Sequence, residues 1–149
     1  MWLERLRALL RDIGEKSWIY REGKTRNVYV LETASKKLSM NFDPTLFASN
    51  AEKIAYICGY FDAEGGVAHY NSVRFYLQLA EKNKRHLEKV KNLLEGLGIK
   101  CGVVHNPSKR VDPNYWRFFI RAQSYKEFIE KVGSWHPRKQ NLLSNWMKI

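Results

Sequence analysis

Apolar residues recur along this chain with two different periods, and the changes of period mark out its elements. Trp2, Leu3, Leu6, Leu9, Leu10 and Ile13 have helical spacing, with Arg5, Arg7 and Arg11 elsewhere on the surface, which predicts a short amphipathic helix. Residues 26–38 read as a strand running into a helix start. Their Tyr29, Val30 and Leu31 match Phe118, Phe119 and Ile120 in character, which suggests the remnant of an upstream repeat and requires residues 27–38 to be strand and then helix. Ser49-Asn50-Ala51-Glu52 has the S-x-x-E form of a capping box, so a helix begins near Asn50, runs for about three turns and stops at Gly65-Gly66.

Beyond that helix the period shortens to two. Residues 66–70 form a strand, Asn71-Ser72 a turn, and residues 74–79 alternate strictly: Arg74, Tyr76 and Gln78 share one sheet face, while Phe75, Leu77 and Leu79 share the other. Leu87, Val90, Leu94 and Leu97 return to helical spacing and end at Gly96 to Gly98. A second strand pair, residues 100–105 and 115–121, flanks a basic loop. In its later strand Trp116, Phe118 and Ile120 face one way, and Tyr115, Arg117 and Arg121 the other. In its earlier strand either Cys101, Val103 and His105 or Lys100, Gly102 and Val104 face out. Ser124 and Glu127 repeat the capping box ahead of Phe128, Ile129 and Val132, and His136-Pro137 opens a last helix with Leu142, Leu143 and Trp146 inward.

Charge narrows the range of functions. Lys and Arg number 26 against 15 acids, a net +11, with a pI near 9.7. The first 50 residues hold 9 bases and 6 acids and the remainder 17 and 9, so the excess lies mainly in the later part. Such a balance implies a polyanionic partner, nucleic acid ahead of an anionic membrane surface. With 149 residues and 44% hydrophobic content the chain can build a proper core. Cys58 and Cys101 have no C-x-x-C spacing and are expected to be small buried residues rather than zinc ligands or a disulfide. The charged N-terminus lacks a signal-peptide core, and no apolar run approaches the roughly 18 residues of a membrane span, so a cytoplasmic protein is expected.

The chemistry concentrates in Ile57-Cys58-Gly59-Tyr60-Phe61-Asp62-Ala63-Glu64-Gly65. Ala55, Gly59 and Ala63 recur every four residues and form a helix face where another backbone can approach closely. Glu64 ends the helix, where the macrodipole disfavours an acid by a few tenths to about 1 kcal/mol, so a cation is expected nearby. These residues resemble the signature of the LAGLIDADG homing endonucleases, and the order helix, two strands, helix, two strands, helix from residue 50 onward resembles that family's αββαββα core. The resemblance implies an α+β fold with an antiparallel saddle-shaped sheet over residues 49–149, preceded by an N-terminal helical and strand extension, residues 1–48. The first helix then either packs on the domain or serves as a DNA-contacting arm.

The same resemblance implies a function. Only one signature is present, so two chains are expected to pair through Ala55, Gly59 and Ala63 as a homodimer that joins two sheets over the duplex. Paired Glu64 carboxylates call for neutralisation by Mg2+, with Glu64 and the Ala63 carbonyl as candidate ligands and DNA phosphates completing the shell. By alignment with the family, Glu81 positions water or metal, although it also suits the first turn of the next helix as a dipole partner. Lys139 stabilises charge on the phosphate, with Arg138 as the alternative. On the reader face Arg74, Arg117 and Gln78 suit base edges, Tyr70, Tyr76 and His105 add contacts, and Lys109 and Arg110 suit phosphates. The expected activity is site-specific, Mg2+-dependent, double-strand cleavage of a long, partly palindromic DNA site, as in intron-encoded members, with no membrane or small-molecule substrate. The contrasting reading is a non-cleaving nucleic-acid binder on the same scaffold, an RNA-splicing maturase or a transcription regulator; a metal-free dimerisation module leaves the basic strand faces unexplained.

Overall fold

The capping box at Ser49 sets the start of the central helix. In a computed structural model, which describes residues 2–38, 42–68 and 73–148, both arms of the box form: Ser49 Oγ accepts from Glu52 N at 3.2 Å, and Glu52 Oε2 accepts from Ser49 N at 3.0 Å. The chain divides into two compact units, residues 1–42 and 43–149.

The first unit is helix α1 (Trp2–Asp12) followed by an antiparallel hairpin, β1 (Ser17–Arg21) and β2 (Tyr29–Thr33), registered from Ser17↔Thr33 to Arg21↔Tyr29. None of its described residues is fully buried. The expected strand is present within residues 26–38, but the helix after it is not. Thr33 Oγ1 accepts from Ser35 N and Ser35 Oγ accepts from Lys37 N, both at 3.2 Å, so hydroxyls take the amides that a helix turn would use. The proposed match of residues 26–38 to a strand followed by a helix therefore fails.

The second unit begins with a 3-10 turn, Pro44–Leu46, whose N-cap Asp43 also pairs with Lys89 at 2.7 Å. It continues through α2 (Asn50–Glu64), β3 (Gly65–Val67), β4 (Leu77–Glu81), α3 (Lys84–Gly96), β5 (Trp116–Phe119), a 3-10 turn at Ala122–Ser124, α4 (Tyr125–Lys131) and α5 (Pro137–Trp146). The sheet is antiparallel in the order β3-β4-β5. Its inward face supplies Leu77, Leu79, Phe118 and Ile120, which meet Ile57 and Phe61 of α2, Leu87, Val90 and Leu94 of α3, Phe128 of α4 and Leu143 of α5 in one core. Mixed helix and antiparallel sheet is the expected α+β class. Cys58 and Cys101 are buried, free, and pushed up to about 11 and about 12 chiefly by burial, which makes them poor nucleophiles.

Several expectations change in detail. The second strand starts at Leu77, which leaves Arg74 before it, while Tyr70 and the Asn71-Ser72 turn lie outside the described residues. Residues 100–105 make only two bridges to β5 and its continuation, Cys101↔Ile120 and His105↔Arg117. The two bridges are four residues apart on one side and three on the other, so one extra residue is accommodated as in a β-bulge. The phase therefore slips in mid-strand: Cys101 is inward, Val103 is 73% exposed, Val104 packs on the core, and His105 joins the outer face beside Arg117. Neither expected alternation holds throughout. The second capping box does not form, because Ser124 Oγ accepts instead from Lys100 N at 3.0 Å.

Candidate active site and nucleic-acid interface

The end of α2 is where a helix leaves its last carbonyls without partners. Lys139, from the first turn of α5, donates to two of them, Phe61 O at 2.5 Å and Asp62 O at 2.9 Å, and its ammonium lies 4.9 Å from the Phe61 ring centroid. Burial lowers its pKa, while the nearby Asp62 and Glu64 carboxylates oppose that shift. Arg138 is exposed. Asp62 turns away from solvent: it accepts from Ser134 Oγ and from Trp135 N, so it ties α2 to the approach to α5.

Glu64 is exposed at the tip of the helix, next to Ala63. Gly65 pairs with Leu79 at the start of the β3–β4 ladder, so Glu64 and Glu81 flank the same end of that strand pair. Glu81 closes β4 and precedes Asn83, the N-cap of α3, so it stands outside the first turn of that helix. Its Oε2 accepts from Tyr60 OH and His86 Nδ1, both at 2.7 Å, and His86 Nε2 meets Tyr56 OH at 2.8 Å. Both contacts fall on Oε2, leaving Oε1 without a hydrogen bond among the described residues. Burial, then the Glu81 bond and charge, then Glu64 push the Tyr60 hydroxyl above the ordinary phenol range, so it stays protonated and donating. Tyr56, Tyr60 and His86 were not singled out by sequence; the two tyrosines sit one helical turn apart, but nothing local pairs them with Glu81.

Glu64, Glu81 and Lys139 thus gather at one end of α2. Glu64 carboxylate, the Ala63 carbonyl and Glu81 Oε1 are hard oxygen donors of the kind that Mg2+ accepts. Among the described residues no group of three His, Cys, Asp or Glu is close enough to hold a metal ion.

The outer sheet face forms a second cluster. Arg117 lies with its guanidinium carbon 5.0 Å from the Phe119 ring centroid and donates weakly to His105 Nε2 at 3.4 Å. His105 stacks on Phe119 at 6.1 Å, and Tyr76 meets the same ring edge-on at 5.9 Å. Gln78 pairs with Phe119 and spreads its side chain over Gly66, where an added Cβ would come within 2.9 Å of it. Phe119, the hub, was overlooked, although strict alternation with Phe118 and Ile120 places it outward. Lys109 and Arg110 are exposed in a loop shaped by Asn106 and Asp112, and Arg74 is exposed near Tyr125. Ala55, Gly59 and Ala63 are all exposed along α2.

Comparison with known proteins sets this geometry in context. The model of the LAGLIDADG-like domain matches residues 51–133, more than half of the chain. No curated protein sequence matches. Among solved structures, the chain is similar to I-DmoI in complex with DNA and Mn, at 28% identity over 90% of this chain and 73% of that one, with a TM-score of 0.64. It is also similar to I-DmoI with DNA and Ca, at 26% identity, 94% and 73% coverage and a TM-score of 0.68. I-DmoI is described as a homing endonuclease. Full-length DUF199/WhiA from Thermatoga maritima shares the fold at 16% identity, over 99% of this chain and 50% of that one, with a TM-score of 0.65.

Proposed function

The chain belongs to the LAGLIDADG-like family, and from that premise we propose that it is a homodimeric, Mg2+-dependent homing endonuclease that makes double-strand breaks in a long, partly palindromic DNA site. The observation that carries this reading is the gathering of Glu64, Glu81 and Lys139 at the end of α2, beside a helix face left open at Ala55, Gly59 and Ala63. A second copy packed on that face brings two such ends together, one for each strand. Glu64 and the Ala63 carbonyl would hold the divalent ion, which would supply charge stabilisation at the scissile phosphate. Glu81, held through Oε2 by Tyr60 and His86, presents Oε1 to orient the attacking water. Lys139, held at the helix end by the Phe61 and Asp62 carbonyls, stabilises the charge that develops on the phosphate. His105, Arg117, Gln78, Tyr76 and Arg74 read the groove together with Tyr70, and Lys109 and Arg110 hold the backbone.

The test is a selection for cleaved sites from a randomised DNA library, with Mg2+ and with EDTA, for the wild type and Glu64→Gln. The expected result is a metal-dependent double-strand cut at one long pseudo-palindrome, reduced more than about 100-fold by Glu64→Gln, a loss beyond that for a ligand's supporting contact. Salt-sensitive binding to structured RNA or to a particular DNA, without cutting, supports the maturase or regulator reading instead.

A further inference from the structure

His86, in the first turn of α3, meets both the end of β4 and one face of α2. Its backbone amide donates to Asn83 Oδ1 at 3.1 Å, so the cap that starts α3 also sets where the imidazole begins. The ring lies among three groups: Glu81 Oε2 is 2.7 Å from Nδ1, Tyr56 OH is 2.8 Å from Nε2, and the Tyr60 ring meets it edge-on with centroids 5.6 Å apart. Tyr56 and Tyr60 stack one turn apart on α2 at 6.3 Å, and Phe47 packs on Tyr56 at 5.4 Å. Phe47 follows the 3-10 turn that the Asp43–Lys89 pair ties to α3. The side chains of His86 and Glu81 keep only 25% and 24% of their exposure, so the pair is held from four sides and still reaches solvent.

Donor and acceptor roles in this cluster follow from the carboxylate. Its oxygens accept and do not donate, so the bond to Glu81 places the proton of His86 on Nδ1. In the neutral ring Nε2 is then an acceptor, and Tyr56 OH donates to it. Tyr60 OH donates to the same Glu81 Oε2 at 2.7 Å. Each of these protons therefore points along a path that ends on Oε2, and Oε1 is left as the open side of the carboxylate among the described residues. The last torsion of a glutamate is otherwise broad and two-fold, so without the two donors its oxygens exchange places. The donors have a second effect. Glu64 and Glu81 flank the same end of the β3–β4 ladder, and hydrogen bonds to Oε2 offset the charge of one of these two acids.

We propose that Tyr56 and His86 form a positioning relay, in which Tyr56 sets the His86 tautomer and His86 fixes the Glu81 carboxylate with Oε1 toward the reacting water. This rests on the cleavage reading given above and deepens it with two residues that do not touch the substrate. The first measurement needs neither metal nor DNA: long-range proton–nitrogen NMR of the free protein at alkaline pH reads which nitrogen of His86 is protonated. A proton on Nδ1 is expected, and a ring with none there overturns the relay whatever the cutting data show. The second measurement follows single-turnover cutting, at saturating protein with Mg2+, of the duplex recovered by the library selection, and affinity for that duplex in EDTA. It compares the wild type with His86→Leu, His86→Asn and Tyr56→Phe. His86→Leu is expected to slow cutting by about 10–100-fold with affinity unchanged. His86→Asn, whose amide nitrogen takes the place of Nδ1, is expected to restore most of the rate, and Tyr56→Phe, which keeps its ring, to lose less than His86→Leu. Wild-type cutting by His86→Leu, an Asn variant as slow as the Leu variant, or a loss that lies in affinity alone overturns the relay and leaves the cleavage reading standing. Absence of metal-dependent cutting by the wild type overturns the cleavage reading itself, and the relay with it.

Discussion

Lys139 carries a charge into a half-buried position, and the carbonyls of α2 hold it there. That a cation belongs at this helix end follows from the dipole and the terminal Glu64, both visible in sequence; which cation fills the place depends on how α5 meets α2. Resemblance left Arg138 and Lys139 open, and the fold directs Lys139 inward and leaves Arg138 in solvent. Replacing the ammonium removes two charge-assisted hydrogen bonds and leaves the Asp62 carbonyl without its partner. Lys139→Met is expected to lower stability by about 1–2 kcal/mol, read from the midpoint of urea unfolding at constant m. An unchanged midpoint would mean that the bonds to Phe61 and Asp62 contribute nothing net. Glu81 teaches the opposite lesson: its place at a strand end was legible, but the Tyr60 and His86 contacts that fix its carboxylate come from two other elements.

At the scale of elements, the same motif succeeds once and fails once. S-x-x-E forms a complete box at Ser49, which is exposed, and fails at Ser124, which is 3% exposed and takes the Lys100 amide instead. A hydroxyl accepts from whichever amide the fold brings nearest, and sequence spacing registers only the local candidate. Asp43 is a third cap, and here tertiary contact strengthens it: the Lys89 ammonium first, then the Thr45 amide and hydroxyl, lower its carboxyl to about 2 from 3.8. Its native pKa lies below its unfolded one, so its contribution is fully present above about pH 4 and is lost as pH falls through about 2. Asp43→Asn is therefore expected to flatten the acid limb of the stability curve between about pH 4 and pH 2 and to leave its shape above pH 5 unaltered, measured by thermal unfolding across pH. An acid limb as steep as the wild type's would assign the acid sensitivity to other carboxylates.

For the whole molecule the decisive surface is the open face of α2. A Cβ added at Gly59 meets nothing within 4 Å among the described residues, so these do not require glycine there, and leucine improves helix propensity by roughly 0.8–1 kcal/mol. If a second helix packs against that face, Gly59→Leu separates the pair. The expected outcome is a chain of equal or greater stability that sediments as a monomer, while a variant that still sediments as a dimer would refute the interface. The sequence by itself determined the helix that starts at Asn50 and stops at Gly65 and the inward residues of β4, α3 and β5, because periodicity and local caps act within one element, while the α+β class and the signature acid rest on resemblance to the family. Only the tertiary structure decided the phase slip between Cys101 and His105 and the convergence of Glu64, Glu81 and Lys139. Each of these depends on which backbone and side-chain groups meet across long sequence separations, where a hydrogen bond goes to the partner that packing supplies.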